Sequence, residues 1–377
     1  MNAEKKKFKL REYLPIGCMI IFLITLAAAI VEIVSRNNMA LADAINDGSG
    51  RIIRFILAKA TSWIPFSFAE TIIICSPVII GILVYLMLKA GKRSLKALIR
   101  VAAVILSIVA VVYSTFVFGY GTGYYGKKID QKLNMKRADL TAEELYDTAM
   151  LLLDGAIAEL DNINFPEGTC SKMPYSYTEF NRELNKAWDK VCEKYPGVFQ
   201  HFYSNTKPVL LSEPWSYTQI AGVYSFFTGE ANVNVNYPDF IIATSAAHEM
   251  SHQRGVGRED EANFVSFLVC INSDDAYLRY SGYLDMYREV RDKLKGTDKE
   301  LYNDLVSHVP DEIIGELNDF AVKFAKYAKK ENVVAKVSDK INDTYITIHG
   351  QEAGSKSYGL VVDLLCAYML YGDGAAK

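Results

Sequence analysis

The chain has five histidines, and two of them, His248 and His252, stand four residues apart in HEMSH, with Glu249 directly after the first. Residues four apart share one face of a helix. Both imidazoles can then reach a single metal ion. H-E-x-x-H on a helix points to zinc, with the glutamate as general base. A catalytic zinc takes three protein ligands and keeps one position open for water. It brings the pKa of that water toward about 7, so hydroxide is available at neutral pH. Glu249 is placed to accept the proton and pass it on. The chemistry this pattern supports is hydrolysis. Short patterns of this kind also arise by chance. Three features set this one apart: histidine is scarce in the chain, the motif follows a strand pattern, and a glutamate-rich segment comes next.

The third ligand is sought just downstream. Gly255 and Gly257 let the chain turn tightly after the helix. The segment REDEAN then opens a second helix carrying Glu259 and Glu261. Glu259 is the favoured ligand, because Asn263 lies one turn further on the same face and can hold a ligand in place. Glu261 is the alternative. His201, His308 and His349 lack any local partner pattern and read as surface or core histidines. Two imidazoles and a carboxylate suit zinc among the divalent metals.

The elements that must position these residues are legible around them. ANVNVNY, residues 231–237, alternates strictly and predicts a strand ended by Pro238. IIATSAAHEMSHQRG predicts the helix carrying both histidines, stopping near Gly255. REDEANFVSFLVCIN predicts the next helix. Thr141 with Glu144, and Ser176 with Glu179, have capping-box spacing and open two earlier helices. Later apolar periodicity predicts further helices, among them one over SYGLVVDLLCAYML. The fold expected is mostly α, with a small sheet.

The first third of the chain is different. Apolar runs at about 14–34, 69–88 and 99–121 are each long enough to cross a bilayer, which takes ~20 residues. Pro77 in the second is tolerated there. Lys5, Lys6, Lys7, Lys9 and Arg11 precede the first run. Lys89, Lys92, Arg93, Lys96 and Arg100 flank the loop between the second and third. The positive-inside rule makes both cytoplasmic. The N-terminus is then inside and everything after residue 121 is outside. Two units follow: a membrane domain over 1–121 and an extracytoplasmic domain over 122–377. RIIRFILAKATSWI, between the first two runs, reads either as a helix lying in the interface or as one packed over the bundle. The net charge of −3 gives no support for a nucleic-acid partner. Cys170, Cys192, Cys270 and Cys366 fall outside the membrane runs. A Cys170–Cys192 bridge and buried free thiols are both open readings.

HEMSHQRG followed by EDEANF resembles the Glu-type zincins, whose second helix carries E-x-x-A-D or E-x-x-A-N, here Glu259, Ala262 and Asn263. The three apolar runs, GEANVN, HEMSHQRG, EDEANF and SYGLVVDLLCAY together resemble a family of bacterial membrane proteins carrying a domain of unknown function. The resemblance implies a zincin-like exported domain on a bacterial cytoplasmic membrane anchor. It gives zinc to His248, His252 and Glu259, and the general base and acid role to Glu249. It makes ANVNVNY the edge strand that pairs with an extended substrate. It also calls for an oxyanion donor outside the motif, for which Tyr358 is the choice over Arg254 and Arg258. The link from His252 to Glu259 is shorter than in most Glu-type zincins, and the place of a metzincin's third histidine holds Arg258.

The expected function is that of a membrane-anchored zinc metallopeptidase acting on peptides or proteins outside the cytoplasmic membrane. The alternative is a catalytically silent zincin-like sensor or binding protein. Glu249 speaks against it, since binding alone needs no base. A transporter has little support, because Glu32, Glu70 and Arg100 all lie near the ends of the runs.

Overall fold

A computed structural model describes residues 10–137, 140–166, 170–328, 332–348, 360–372 and 374. They are mostly helical, with one small sheet. Helix α1, Ile16–Ser35, is apolar nearly all round. Helix α2, Arg51–Thr61, follows in the loop beyond it. Helices α3, Phe68–Arg93, and α4, Leu95–Gly119, complete a set of three helices (with α1) long and apolar enough to cross a membrane. Ser94 separates the latter two. It is the C-cap of α3, and its side chain accepts from Ala97 N–H to start α4. Pro77 lies inside α3.

Helix α2 presents one packed face and one exposed face. Arg54, Ala58 and Thr61 are buried against the rest of the protein. Ile52, Ile56 and the following Trp63 are exposed. The helix therefore turns its polar and small residues inward and its large apolar ones outward. That suits a helix lying against lipid.

Beyond the spans, α5, Ala142–Ile157, and α6, Tyr177–Lys194, begin at the expected capping boxes. Thr141 Oγ1 accepts from Glu144 N–H at 3.1 Å, and Glu144 returns the bond to Thr141 N–H at 2.9 Å. Three short strands follow: β1, Lys207–Pro208, β2, Gly222–Ser225, and β3, Glu230–Val233. Then come α7, Asp239–Gln253, α8, Glu259–Ile271, α9, Ala276–Thr297, α10, Asp311–Phe324, and α11, Val361–Tyr371.

The sheet order is β1-β3-β2, with β1 parallel and β2 antiparallel to β3. This corrects the reading of ANVNVNY. Its strand is only Glu230–Val233, and it is central rather than at an edge. The asparagines explain the early stop. Asn234 Oδ1 accepts from Asn236 N–H, and both amide side chains reach Ser216. Local bonds of this kind compete with the strand ladder. The strictly alternating pattern misled because both faces of β3 are covered.

Helix α7 is buried on almost every side and carries several small residues there. Ala243, Ala246 and Ala247 are fully buried, and α8, α9 and β3 pack around it. Enlarging such positions would overpack the core, at about 1–3 kcal/mol each. The main core joins α5 through α11 around this helix. All six cysteines are free thiols. Cys170 donates to Asp319 Oδ2 and is not bridged to Cys192.

Contacts cross the expected boundary at residue 121 in several places. The buried Arg54 guanidinium donates to Gly119 O, to Asn46 Oδ1 and O, and to Gln200 Oε1. Glu230 of β3 accepts from Phe68 N–H and Ala69 N–H at the start of α3. Glu70 in turn accepts from Leu210 N–H and Leu211 N–H. Lys207 of β1 donates to the main chain at Thr61 and Ile64.

Candidate metal centre

Helix α7 places His248 and His252 one turn apart, with their rings 4.6 Å apart at centroids. The two Nε2 atoms are 3.0 Å from each other. Glu259, the first residue of α8, brings Oε2 to 3.3 Å from His248 Nε2 and 3.4 Å from His252 Nε2. The three ligand-type atoms converge on one point, and they form a cluster with the spacing a metal ion needs.

The opposite ring nitrogens are spoken for. His248 Nδ1 lies 2.7 Å from Asn263 Oδ1. His252 Nδ1 lies 2.7 Å from Val256 O and 3.0 Å from the Tyr120 hydroxyl. Both acceptors fix the proton on Nδ1, so both Nε2 lone pairs face inward. Two lone pairs facing each other beside a carboxylate repel unless a cation lies among them. The donor set therefore fits a metal ion, and two imidazoles with one carboxylate suit zinc.

The electrostatics agree. With no cation present, burial opposes charge on Glu259, but attraction to His252 and contact with both imidazoles outweigh it, leaving the carboxyl well below its usual range. Burial likewise opposes charge on His252. Glu259 overrides it and raises the imidazole to about 9 when no cation is present. A proton then plays the part that a metal would otherwise take.

The turn between the helices depends on two glycines. Gly255 has φ of +95°, in the left-handed region that side chains disfavour. A Cβ on Gly257 would lie 2.7 Å from both Gly123 C and Tyr124 N. This close approach seats the turn directly on the segment that leaves α4. Asn46 Nδ2 also donates to Gly255 O, at 3.0 Å.

Glu249 is buried, and its Oε2 has no hydrogen-bond partner among the described residues. Burial raises its pKa, against the pull of His248 and His252, while the Tyr224 backbone N–H favours its charged form. Its side chain lies against β2, where a Cβ on Gly222 would be 2.7 Å from Glu249 Oε1. A carboxylate held in this way, open on one oxygen beside two imidazoles, is equipped to move a proton. His248, Glu249 and Asn263 line a cleft of about 560 Å³, whose far wall includes Phe320, Phe324 and Tyr327. β1 and β2 are both outer strands that pair with no further strand among the described residues, and β2 is the one that borders Glu249.

Other residues singled out in the sequence lie elsewhere. Glu261 Oε1 accepts from Ile129 N–H at 3.1 Å and faces Arg258 Nε at 3.8 Å, away from the histidines. Arg254 makes no salt bridge among the described residues. It is buried, donates to Phe202 O and stacks 4.6 Å from the Trp188 ring. His201 pairs with Asp189, and His308 with the Asp304 carbonyl. Tyr358 and His349 fall outside the described residues.

Two contributors were missed in the sequence. Val256 acts through a backbone carbonyl, which no side-chain pattern reveals. Tyr120 stands in a Gly/Tyr-rich stretch that suited a membrane interface equally well. No curated protein and no solved structure matches this chain. Residues 48–366, the spans after the first together with the whole cluster just described, match one family, and the chain accordingly belongs to the family described as protein of unknown function (DUF3810).

Proposed function

We propose that this protein is a membrane-anchored, zinc-dependent metallopeptidase with a zincin-like site, hydrolysing peptide bonds outside the cytoplasmic membrane. The observation that carries the reading is the convergence of His248 Nε2, His252 Nε2 and Glu259 Oε2, with Glu249 beside them on a cleft. Zinc bound there supplies Lewis acidity and makes hydroxide available near neutral pH. Glu249 takes the proton of the attacking water on its open oxygen and delivers it to the leaving amine. Asn263 and Val256 hold the two imidazoles in register throughout. The outer edge of β2, with Gly222 against Glu249, offers main-chain groups to an extended peptide.

The extracytoplasmic placement rests on the cationic residues that flank the first span and the loop between α3 and α4. The test uses detergent-purified full-length protein. Bound metal is measured by elemental analysis in wild type, His248→Ala and Glu249→Gln, alongside hydrolysis of a mixed peptide library. The expected result is one zinc per chain, lost in the histidine variant and kept in the glutamate variant, with cleavage abolished in both. Zinc without cleavage favours a silent sensor. No metal after reconstitution with zinc removes the reading.

A further inference from the structure

The metal cluster lies far from the spans in sequence, yet it is fastened to their ends. Tyr120 is the residue immediately after α4, and its hydroxyl sits 3.0 Å from His252 Nδ1. One side chain thus separates a metal-ligating imidazole from the end of an apolar helix. Glu32 of α1 accepts from the Tyr113 hydroxyl of α4 at 2.7 Å and pairs with Arg36 at 2.8 Å. A charged group of this kind belongs at the edge of the hydrocarbon, not within it. Exposed Trp63, Phe66 and Phe68 mark the same boundary where α3 begins.

Two rulers give the height of the site. Tyr113 and Tyr120 are seven residues apart on or beside one helix, a rise of about 10 Å. The headgroup layer on each face is itself about 5–7 Å thick. The cluster therefore lies just above the headgroups. The second ruler is β2. Phe226, directly after it, packs on Phe116 of α4 with ring centroids 5.1 Å apart. Ser225 pairs with Glu230, which holds the start of α3. Gly222, at the other end, lies against Glu249. From Phe226 to Gly222 the chain climbs four residues, about 13 Å at strand spacing. Strand β2 thus rises from the bilayer surface to the general base, with Tyr224 N–H held by Glu249 and Gly222 at the cleft.

We propose that the substrate is the juxtamembrane segment of a membrane-anchored polypeptide, laid along the outer edge of β2 and cut about three to six residues from the bilayer surface. This rests on the metallopeptidase reading of the same site. Two-dimensional confinement places the segment at a high local concentration, so a tethered chain outcompetes a free one. The bond broken is the amide opposite Glu249. Water adds its hydroxyl to the carbonyl carbon, and its proton leaves with the new amine.

The test reconstitutes the zinc-loaded full chain in liposomes with two probes. One is a randomised 30-residue segment following a single designed transmembrane helix; the other is the same segment without the helix. Cut positions are mapped by mass spectrometry, with Glu249→Gln as the inactive control. The expected result is cuts within the first six or so residues, with at least about a tenfold preference for the tethered probe. Inserting four residues next to the bilayer should shift the cut along the sequence and leave its distance from the membrane unchanged. In Glu249→Gln, a photoreactive group at Val223 should crosslink the tethered probe over the same residues, which reads binding without turnover. Cuts spread evenly along the tether, or equal rates on both probes, overturn this inference and leave the peptidase reading standing. Cleavage of neither probe removes both.

Discussion

Asn263→Ala should weaken zinc binding by about ten- to thirtyfold, while leaving the fold intact. The amide oxygen of Asn263 is 2.7 Å from His248 Nδ1, and among the described residues it is the side-chain acceptor shown for that nitrogen. Losing one neutral hydrogen bond costs about 1 kcal/mol. Losing the orientation it imposes adds to this, and outer partners of metal-bound histidines typically contribute 10–100-fold in affinity. Each tenfold step is about 1.4 kcal/mol. Asn263 borders the cleft, so water can take its place in part, which puts the expected loss near the lower end. Asn263→Asp keeps an acceptor at the same position and should restore binding. The assay is competition for zinc against a chelator at neutral pH, with thermal unfolding of the metal-free protein as the control for folding. An affinity for Asn263→Ala within about twofold of wild type, with unfolding unchanged, would refute the claim that Nδ1 of His248 is held for the sake of its Nε2.

Tyr120→Phe should weaken zinc binding less than about tenfold in the same competition assay, because Val256 O still holds His252 Nδ1. A larger loss would mean that the hydroxyl is the main anchor of that ring. Arg54→Met should destabilise the protein by about 3 kcal/mol, since it strands the buried Gly119 carbonyl and the Asn46 amide oxygen. Thermal unfolding in detergent would show it as a drop of several degrees, and an unchanged midpoint would contradict it. Glu289, half-buried on the cleft wall, is raised to about 7, chiefly by burial and then by Asp285. A carboxyl raised in the folded state contributes stability below its unfolded pKa and loses it as pH climbs through about 7. Glu289→Gln should therefore match wild type near pH 4 and gain about 1 kcal/mol near pH 8, after allowance for solvent screening. Unfolding midpoints at the two pH values check the sign.

The sequence alone carried what depends on near neighbours. The three apolar runs appeared within a few residues of α1, α3 and α4, because length and hydropathy suffice where lipid is the solvent. The capping boxes at Thr141 and Ser176 were legible because each bond spans three residues. The i, i+4 spacing of His248 and His252, the following turn and the choice of Glu259 with Asn263 also follow from helix periodicity within one short stretch. Tertiary structure decided the rest. ANVNVNY reads as a strand from its alternation and as an edge from the resemblance, but pairing with β1 and β2 on either side makes it central. A single strand's pattern holds no information about its partners in a sheet. Arg254 is buried against Trp188 and donates to Phe202 O, contacts that its place in the sequence does not reveal. The seating of the cluster on Tyr120, at the end of α4, joins residues 132 positions apart. No local pattern encodes a contact of that range, because it exists only once the Gly255–Gly257 turn has packed against Gly123.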